Sequence, residues 1–257
     1  MSKILKGEFN MDSKAILNTN KNYWDTNADD WFGTTALPEY GVEFVKEDKL
    51  NLFGDVSGKK MLDIGCGSGH SLKYHADHNA GELWGLDMST KQIENANKFL
   101  KECGYFAKLI NSPMEAECGI PENYFDYVYS IYAIGWTIDL EGTFKRIASY
   151  LKKDGIFIFS WKHPIHHCVT IEEDKFIFTN SYFDEEWFTL KIDGWDANLC
   201  NRKISTYINA LAKAGFAIEY MSEETDSKVL EARGEFSNRS KKAQLLPLSF
   251  VFKARKL

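Results

Sequence analysis

The sequence predicts an α/β fold, a mostly parallel sheet with helices on both faces. Two observations carry this. From Lys59 onward, short apolar runs alternate with segments of helical period, the pattern of strands joined by crossover helices. Near the C-terminus two strand-like runs follow each other without a long helix between them, which marks an antiparallel addition at the end of a sheet. The 257 residues, 44% hydrophobic and 26% charged, suffice for one domain of this class with a sizeable core.

Residues 60–64, 82–86, 106–110, 124–130 and 155–161 read as strands, and 71–78, 89–103 and 140–152 as the helices between them. Ser89 suits an N-cap, and Gln92 three residues later completes a capping box. Ile93, Ala96, Leu100 and Cys103 then share one helical face, and Gly104 suits the position just past the helix end. Phe144, Ile147 and Leu151 repeat that spacing in the next helix. Residues 205–214 read as a helix capped by Ser205 and stopped by Gly215, with 216–220 and 248–253 as the closing strands. Two aromatic-rich segments stand outside the alternation. One is residues 20–52; the other is an insertion at 163–202 with Phe176, Phe178, Tyr182, Phe183, Trp187, Phe188 and Trp195. Both are expected to cover one edge of the core.

Charge and composition exclude several classes. The net charge is −6, whereas a partner of duplex DNA or structured RNA usually presents a basic stripe. The one short basic run, Arg239 to Lys242 with residues 253–256, reads as a solvated face. No stretch reaches the roughly 18 apolar residues of a membrane span, and residues 1–20 lack the apolar centre of a signal peptide. The five cysteines, Cys66, Cys103, Cys118, Cys168 and Cys200, lack CxxC spacing and read as free thiols in a reducing, cytoplasmic setting.

The sharpest motif is Met61-Leu62-Asp63-Ile64-Gly65-Cys66-Gly67-Ser68-Gly69-His70. An apolar strand enters a glycine turn that opens a helix, whose free amides and partial positive charge favour a polar ligand. The spacing is Gly-x-Gly-x-Gly. The dinucleotide fingerprint places its third glycine one position later, here His70. Asp63 would repel a pyrophosphate but attract an ammonium group, which favours a ligand with an amino-acid end. Asp87 ends the second strand 18 residues after Gly69. It either accepts two ribose hydroxyls or simply starts the following helix.

At these residues the sequence resembles the class I S-adenosylmethionine-dependent methyltransferases, over roughly residues 59–256. Asp63 to Gly69 is similar to their first motif, Phe125-Asp126-Tyr127-Val128-Tyr129-Ser130 to their fourth-strand motif, and Leu151-Lys152-Lys153-Asp154-Gly155 to the turn before their fifth strand. Lys153 and Asp154 depart from that turn's proline and first glycine. The resemblance implies a Rossmann-like seven-stranded sheet of order 3-2-1-4-5-7-6 with an antiparallel last strand, and S-adenosylmethionine as cofactor at the strands' carboxyl ends. It implies cofactor contacts from Asp63, Gly65, Cys66, Gly67, Gly69, Asp87, Met88 and Ser130. Ser112 and Met114 would flank the adenine, where many relatives carry an aspartate and this chain has Ser112-Pro113-Met114-Glu115. The expected division is a single domain with an N-terminal helical lid (1–55), a cofactor-binding core (56–162), an insertion capping the acceptor (163–202), and a C-terminal helix with closing strands (203–257).

Methyl transfer from a sulfonium needs alignment and a dry site more than it needs acid–base chemistry. Acceptor contacts are expected from the ends of the fourth and fifth strands. Tyr132 and Trp136 are candidate pocket walls or plain core aromatics, and His163 is a candidate base or orienting group. Tyr132 and His163 are therefore the catalytic candidates, and Tyr182 joins them with Trp136 as an acceptor contact. His163, His166, His167 and Cys168 lack a recognised metal-ligand spacing, so no metal is expected. Tyr23, Trp24 and Trp31 recur at helical spacing, either packed on the sheet edge or closing over the cofactor, with Tyr23 and Trp31 touching it. The expected activity is transfer of a methyl group to a largely apolar small molecule, with neither nucleic acid nor membrane as partner and the oligomeric state left open. The rivals are a non-catalytic cofactor-binding module, a nicotinamide-dependent oxidoreductase and an RNA methyltransferase. Glycine spacing and Asp63 disfavour the oxidoreductase, and the acidic charge disfavours the RNA enzyme.

Overall fold

Strands that are apolar on both faces can bury them only between two layers. The computed structural model, which describes residues 12–192, 194–234 and 237–257, is built this way. In chain order its elements are α1 (Ser13–Thr26), α2 (Glu47–Leu50), β1 (Lys60–Ile64), α3 (His70–Asp77), β2 (Glu82–Asp87), α4 (Thr90–Glu102), β3 (Lys108–Asn111) and β4 (Phe125–Ser130). There follow a 3₁₀ turn (Ile134–Trp136), α5 (Leu140–Tyr150), β5 (Leu151–Lys162), α6 (Pro164–Cys168), β6 (Val169–Glu172), β7 (Lys175–Phe178), β8 (Trp187–Ile192) and β9 (Trp195–Cys200). The chain closes with α7 (Ile204–Lys213), β10 (Phe216–Ser222), α8 (Ser227–Glu231), α9 (Asn238–Ala243) and β11 (Ser249–Lys256). Among the described residues no helix is long and apolar enough to cross a membrane.

Seven strands form one sheet in the order β10-β11-β5-β4-β1-β2-β3. β1 to β5 pair in parallel, and β11 runs antiparallel between β5 and β10. This is the expected order 3-2-1-4-5-7-6. Alternate residues serve opposite faces. Leu62, Val128 and Phe157 meet Phe144 and Ile147 of α5 and Tyr207 and Leu211 of α7. Met61, Tyr129 and Ile158 meet Leu72 of α3, Leu100 of α4 and the 37–56 segment. Each such side chain contributes about 1.5–3 kcal/mol through its removal from water.

Several boundaries differ from expectation, each for a local reason. The third strand begins at Lys108, and Phe106 is 86% exposed; the ammonium of Lys108 lies over the Trp84 ring instead, 3.8 Å from its centre. The helix before β10 begins at Ile204 with Lys203 as N-cap, not Ser205. Lys203 makes no side-chain cap bond; the helix start is held from the insertion, where Glu185 accepts from the Lys203 amide (2.8 Å) and the Thr206 hydroxyl (2.5 Å). Ser89 caps α4 by accepting from the Gln92 amide (3.1 Å). The reciprocal half of the box is not made, because Asp87 takes the Ser89 amide (2.9 Å). The 152–155 turn sits within β5 as a bulge, since Phe125 faces Leu151 while Tyr127 faces Ile156. The insertion folds into two antiparallel hairpins, β6–β7 and β8–β9, outside the main sheet.

The two segments outside the alternation meet each other. Asn20 of α1, wholly buried, donates to the Asn198 carbonyl (2.9 Å) and accepts from the Asn198 amide (2.7 Å) of β9. The buried Arg202 donates to the carbonyls of Gly135 (3.2 Å) and Thr137 (2.6 Å), tying the insertion's end to the 3₁₀ turn. Residues 1–11 of the expected lid lie outside the described residues.

The Asn20–Asn198 pair makes a stability prediction. Asn20→Ala leaves a buried amide and carbonyl of β9 unpaired and should cost about 2–4 kcal/mol. Hydrogen exchange should show protection lost in 13–26 and 195–200 while β1, β4 and β5 keep theirs. Unchanged exchange in α1 would mean that the pair does not hold it.

Candidate functional site

β1 ends at Ile64, and the amides of Gly65 and Cys66 both reach back to the Leu86 carbonyl (2.7 and 3.0 Å). The chain must therefore turn sharply, and Gly65 and Gly67 both adopt positive φ (77° and 49°). Their surroundings differ. A Cβ on Gly65 would lie 2.4 Å from the Cβ of Ala133, whereas one on Gly67 would meet nothing nearer than the Gln92 Oε1 at 3.9 Å. Position 67 thus presents bare backbone to open space. Its amide donates to Asp87 Oδ2 (2.9 Å), while Asp87 Oδ1 accepts from the Ser89 amide (2.9 Å).

Burial pushes the Asp87 carboxyl up to about 6, against the two amide hydrogen bonds that favour its charge. An acid whose folded pKa is raised contributes stability that is fully present below its unfolded value near 4 and is lost as pH rises through about 6. Near neutrality this carboxylate is therefore strained for want of donors. Asp63, 2% exposed, lies beside the buried Tyr129. Its pKa is pushed far up by burial and then by the charge of Asp87. The Cys66 thiol is likewise raised by burial and by both acids, so it is no ready nucleophile.

These groups share one cleft at the carboxyl ends of β1, β2 and β4. It is lined by Asp63, Gly65, Cys66, Gly67, Asp87, Met88, Ser112, Met114, Trp31, Tyr132 and Trp136, all picked out in the sequence. Three other expected cofactor contacts do not line it. Gly69 is packed beneath α4, where a Cβ would lie 3.2 Å from that of Ala96. Ser130 donates to the Ile64 carbonyl (2.8 Å), tying β4 to β1. Tyr23 stands one layer back, accepting from Trp31 Nε1 (2.9 Å) and stacking on Trp136.

His163 and Tyr182 do not line the cleft either. His163 Nδ1 accepts from the Ile165 amide (3.1 Å) and Nε2 faces Glu223 Oε1 at 2.5 Å. Burial lowers its pKa and Glu223 opposes this. It lines a smaller hollow with Trp161, whose ring packs against Tyr132 and Trp136. The Tyr182 hydroxyl accepts from the Ile204 amide at 3.5 Å. No described residue of 163–202 lines the cleft; the insertion reaches it one layer out, through Asn198 and Arg202. Among the described residues no three His, Cys, Asp or Glu side chains converge to hold a metal ion.

The structure adds Trp24, Thr34, Thr35, Ala36, Ser68, His70, Gln92 and Glu115 to the lining. The N-terminal arm is pinned onto the glycine turn, with the Gly33 amide donating to Ser68 Oγ (3.2 Å) and the Leu37 amide to Ser71 Oγ (3.1 Å). Asp25 of α1 accepts from Ser89 Oγ (2.7 Å). Gln92 carries a buried Oε1 without a hydrogen-bond partner among the described residues. Trp24 and Tyr23 are neighbours, and Trp24 lines the cleft where Tyr23 was the expected contact. Gln92, read as a cap residue, gave no signal as a lining group.

The arrangement has relatives. Residues 62–159 match the family model described as a methyltransferase domain. An uncharacterized protein of Haemophilus influenzae is 30% identical over 229 residues, which is 82% of this chain and 87% of that protein. The sterol 24-C-methyltransferase of Aspergillus fumigatus is 34% identical over 110 residues, 42% of this chain and 29% of that protein, so the chain spans under a third of its length. The crystal structure of an S-adenosylmethionine dependent methyltransferase from Mesorhizobium loti superposes with a TM-score of 0.67 at 24% identity, over 80% of this chain and 95% of that one. That last likeness is one of fold.

The two glycines should answer differently to a methyl group. Gly65→Ala meets Ala133 and positive-φ strain and should cost about 3 kcal/mol. Gly67→Ala adds only the strain, about 1–2 kcal/mol. Urea unfolding of the unliganded variants measures both, and equal losses would contradict the open cradle at 67.

Proposed function

The chain belongs to the class I S-adenosylmethionine-dependent methyltransferases, with S-adenosylmethionine as its cofactor, and we propose that it methylates a small molecule bound in the aromatic-walled part of the cleft. One observation carries this reading. The bare backbone at Gly67 and the donor-poor Asp87 carboxylate open into the same cavity that Trp24, Trp31, Tyr132 and Trp136 wall.

The residues present fit the cofactor. The turn at 65–67 would take the methionine part against backbone, with Asp63 drawing the ammonium group. Asp87 would accept both ribose hydroxyls through the lone pairs its two amides leave free. Met88, Ser112 and Met114 would flank the adenine, and Gln92 Oε1 offers an acceptor that no described residue uses. When bound, the cofactor supplies a methyl group already activated on a sulfonium. The protein's part is then alignment and exclusion of water. Tyr132, at the exit of β4 with positive φ (54°), and Trp136 would wall the acceptor. The α1 aromatics would form a lid, held to the core by Asp25, Gly33 and Leu37. His163 is absorbed by Glu223 and by its capping bond, so any part it takes would be in positioning. The five cysteines, none of them paired, fit a reducing cytoplasm, which we take as the site of action.

Incubation of the full chain with methyl-labelled cofactor and a small-molecule extract should place label in a low-molecular-mass product. Label found only in RNA or protein, or in nothing, would sink the proposal. Asp87→Ala should weaken cofactor binding by about 1–3 kcal/mol, read by calorimetry. Gly67→Val should abolish binding in a folded chain, since its side chain would occupy the cradle; normal affinity in that variant would place the ligand elsewhere.

A further inference from the structure

The basic run read from the sequence as a solvated face does not stand free. α9 carries Arg239 and Lys242 over the end of β5, and Lys242 Nζ donates to the His166 carbonyl (3.1 Å). Lys162, the last residue of β5, pairs in register with Ser249 of β11. Ser249 Oγ receives the Val42 amide (3.1 Å) and is bonded to the Tyr132 hydroxyl. The Tyr132 ring lines the cleft on one side, where none of the three cations does; its hydroxyl faces Ser249 and the charge of Arg239, and Lys162 lines the smaller hollow beside Trp161.

The group lacks counter-charge. Among the described residues Lys162, Arg239 and Lys242 form no ion pair. Of the nearby acids, Glu223 engages His163, Asp174 engages Lys241 and Glu43 the Ser240 hydroxyl, while Asp184 acts on His167. A buried nitrogen of His166, Nδ1, has no hydrogen-bond partner among the described residues. The crowding is mutual. Burial and then the charges of Arg239 and Lys242 hold the Lys162 ammonium below the usual lysine range. Burial, then Lys242, Lys162, Arg239 and His167, bring His166 down to about 4. Like charges held together without a partner cost stability, and an oxyanion would relieve that cost through charge-assisted hydrogen bonds.

We propose that the methyl acceptor carries an oxyanion, a carboxylate or a phosphate, held between Lys162 and Arg239 across the Tyr132 ring from the cofactor. Lys242 adds charge from behind. The acceptor is then amphipathic, with an apolar body against Tyr132 and Trp136 and an anionic end beyond the phenol. This refines the expectation of a largely apolar acceptor, and it rests on the reading of the cleft as a methyl-transfer site.

The test loads the full chain with S-adenosylhomocysteine and titrates inorganic phosphate and acetate against chloride of matched ionic strength, following thermal unfolding and NMR shifts. At least one of the two anions should bind and raise the melting temperature beyond chloride. Phosphate binding more tightly than acetate points to a phosphate acceptor, and the reverse to a carboxylate. Lys162→Met combined with Arg239→Gln should weaken that anion at least tenfold, and the exposed Arg239→Gln alone at least threefold. S-adenosylhomocysteine affinity, measured on each variant, reports that the fold and cofactor end are intact. If the loaded chain binds neither anion better than chloride, or the variants bind it unchanged, the proposal is overturned while the methyltransferase reading stands. A wild-type chain that fails to bind S-adenosylhomocysteine overturns both.

Discussion

The site is organised by one carboxylate. Each oxygen of Asp87 takes one backbone amide, Gly67 from the turn after β1 and Ser89 from the start of α4. The bond to Gly67 fixes the turn against the neighbouring strand. The bond to the Ser89 amide takes the place of the Gln92 side chain, while the Ser89 hydroxyl accepts from the Gln92 amide and donates to Asp25 of α1. A chain of hydrogen bonds thus runs from the glycine turn through Asp87 to the N-terminal helix. The acid that would read the ribose also sets where the aromatic wall stands. Two of the roughly four lone-pair sites of a carboxylate remain for a ligand.

Much of this was legible in the sequence because local rules and tertiary demands agree there. Strand–helix alternation gave the parallel core, and the lack of a long helix between the last two strands gave the antiparallel end. The glycine turn and Asp87 were legible because each constrains the next. The strand exit demands a sharp turn, the turn demands positive φ and hence glycine, and the acid falls at the end of the strand that pairs alongside. What was not legible depended on contacts between distant segments. The helix starts before Ser205, with Lys203 as N-cap held by Glu185 from the insertion, which no local pattern encodes. Asn20 reads as an ordinary polar helix residue, yet it is wholly buried because Asn198 satisfies it from 178 residues away. His163, placed correctly at the exit of β5, turns its ring toward Glu223 and away from the cleft, and side-chain direction at a strand exit is set by such partners.

The same contrast holds for the site's two ends. The cofactor end is built from backbone and short side chains whose positions follow from the turn. The proposed acceptor end would draw on aromatics and cations brought from α1, the 3₁₀ turn, β5 and α9, elements that meet only in three dimensions. Catalysis by alignment needs both ends rigid, and the Asn20–Asn198 and Arg202 contacts supply that rigidity from outside the cleft. The positive φ of Tyr132 is consistent with such a frame, since a bulky residue keeps that conformation only where its surroundings over-determine it.

Asp87 lines the cleft as a half-satisfied acid that the proposed ribose hydroxyls would complete. Its pKa near 6 in the free chain has a definite consequence. Hydroxyl donors favour the carboxylate, so cofactor binding should release protons near pH 6 and tighten as pH rises through that value. Calorimetry in two buffers of different ionisation enthalpy counts those protons. The expected result is net release by the wild type at pH 6, reduced in Asp87→Asn and small in both at pH 8. Equal release from the two proteins at pH 6, or proton uptake by the wild type, would contradict this role for Asp87.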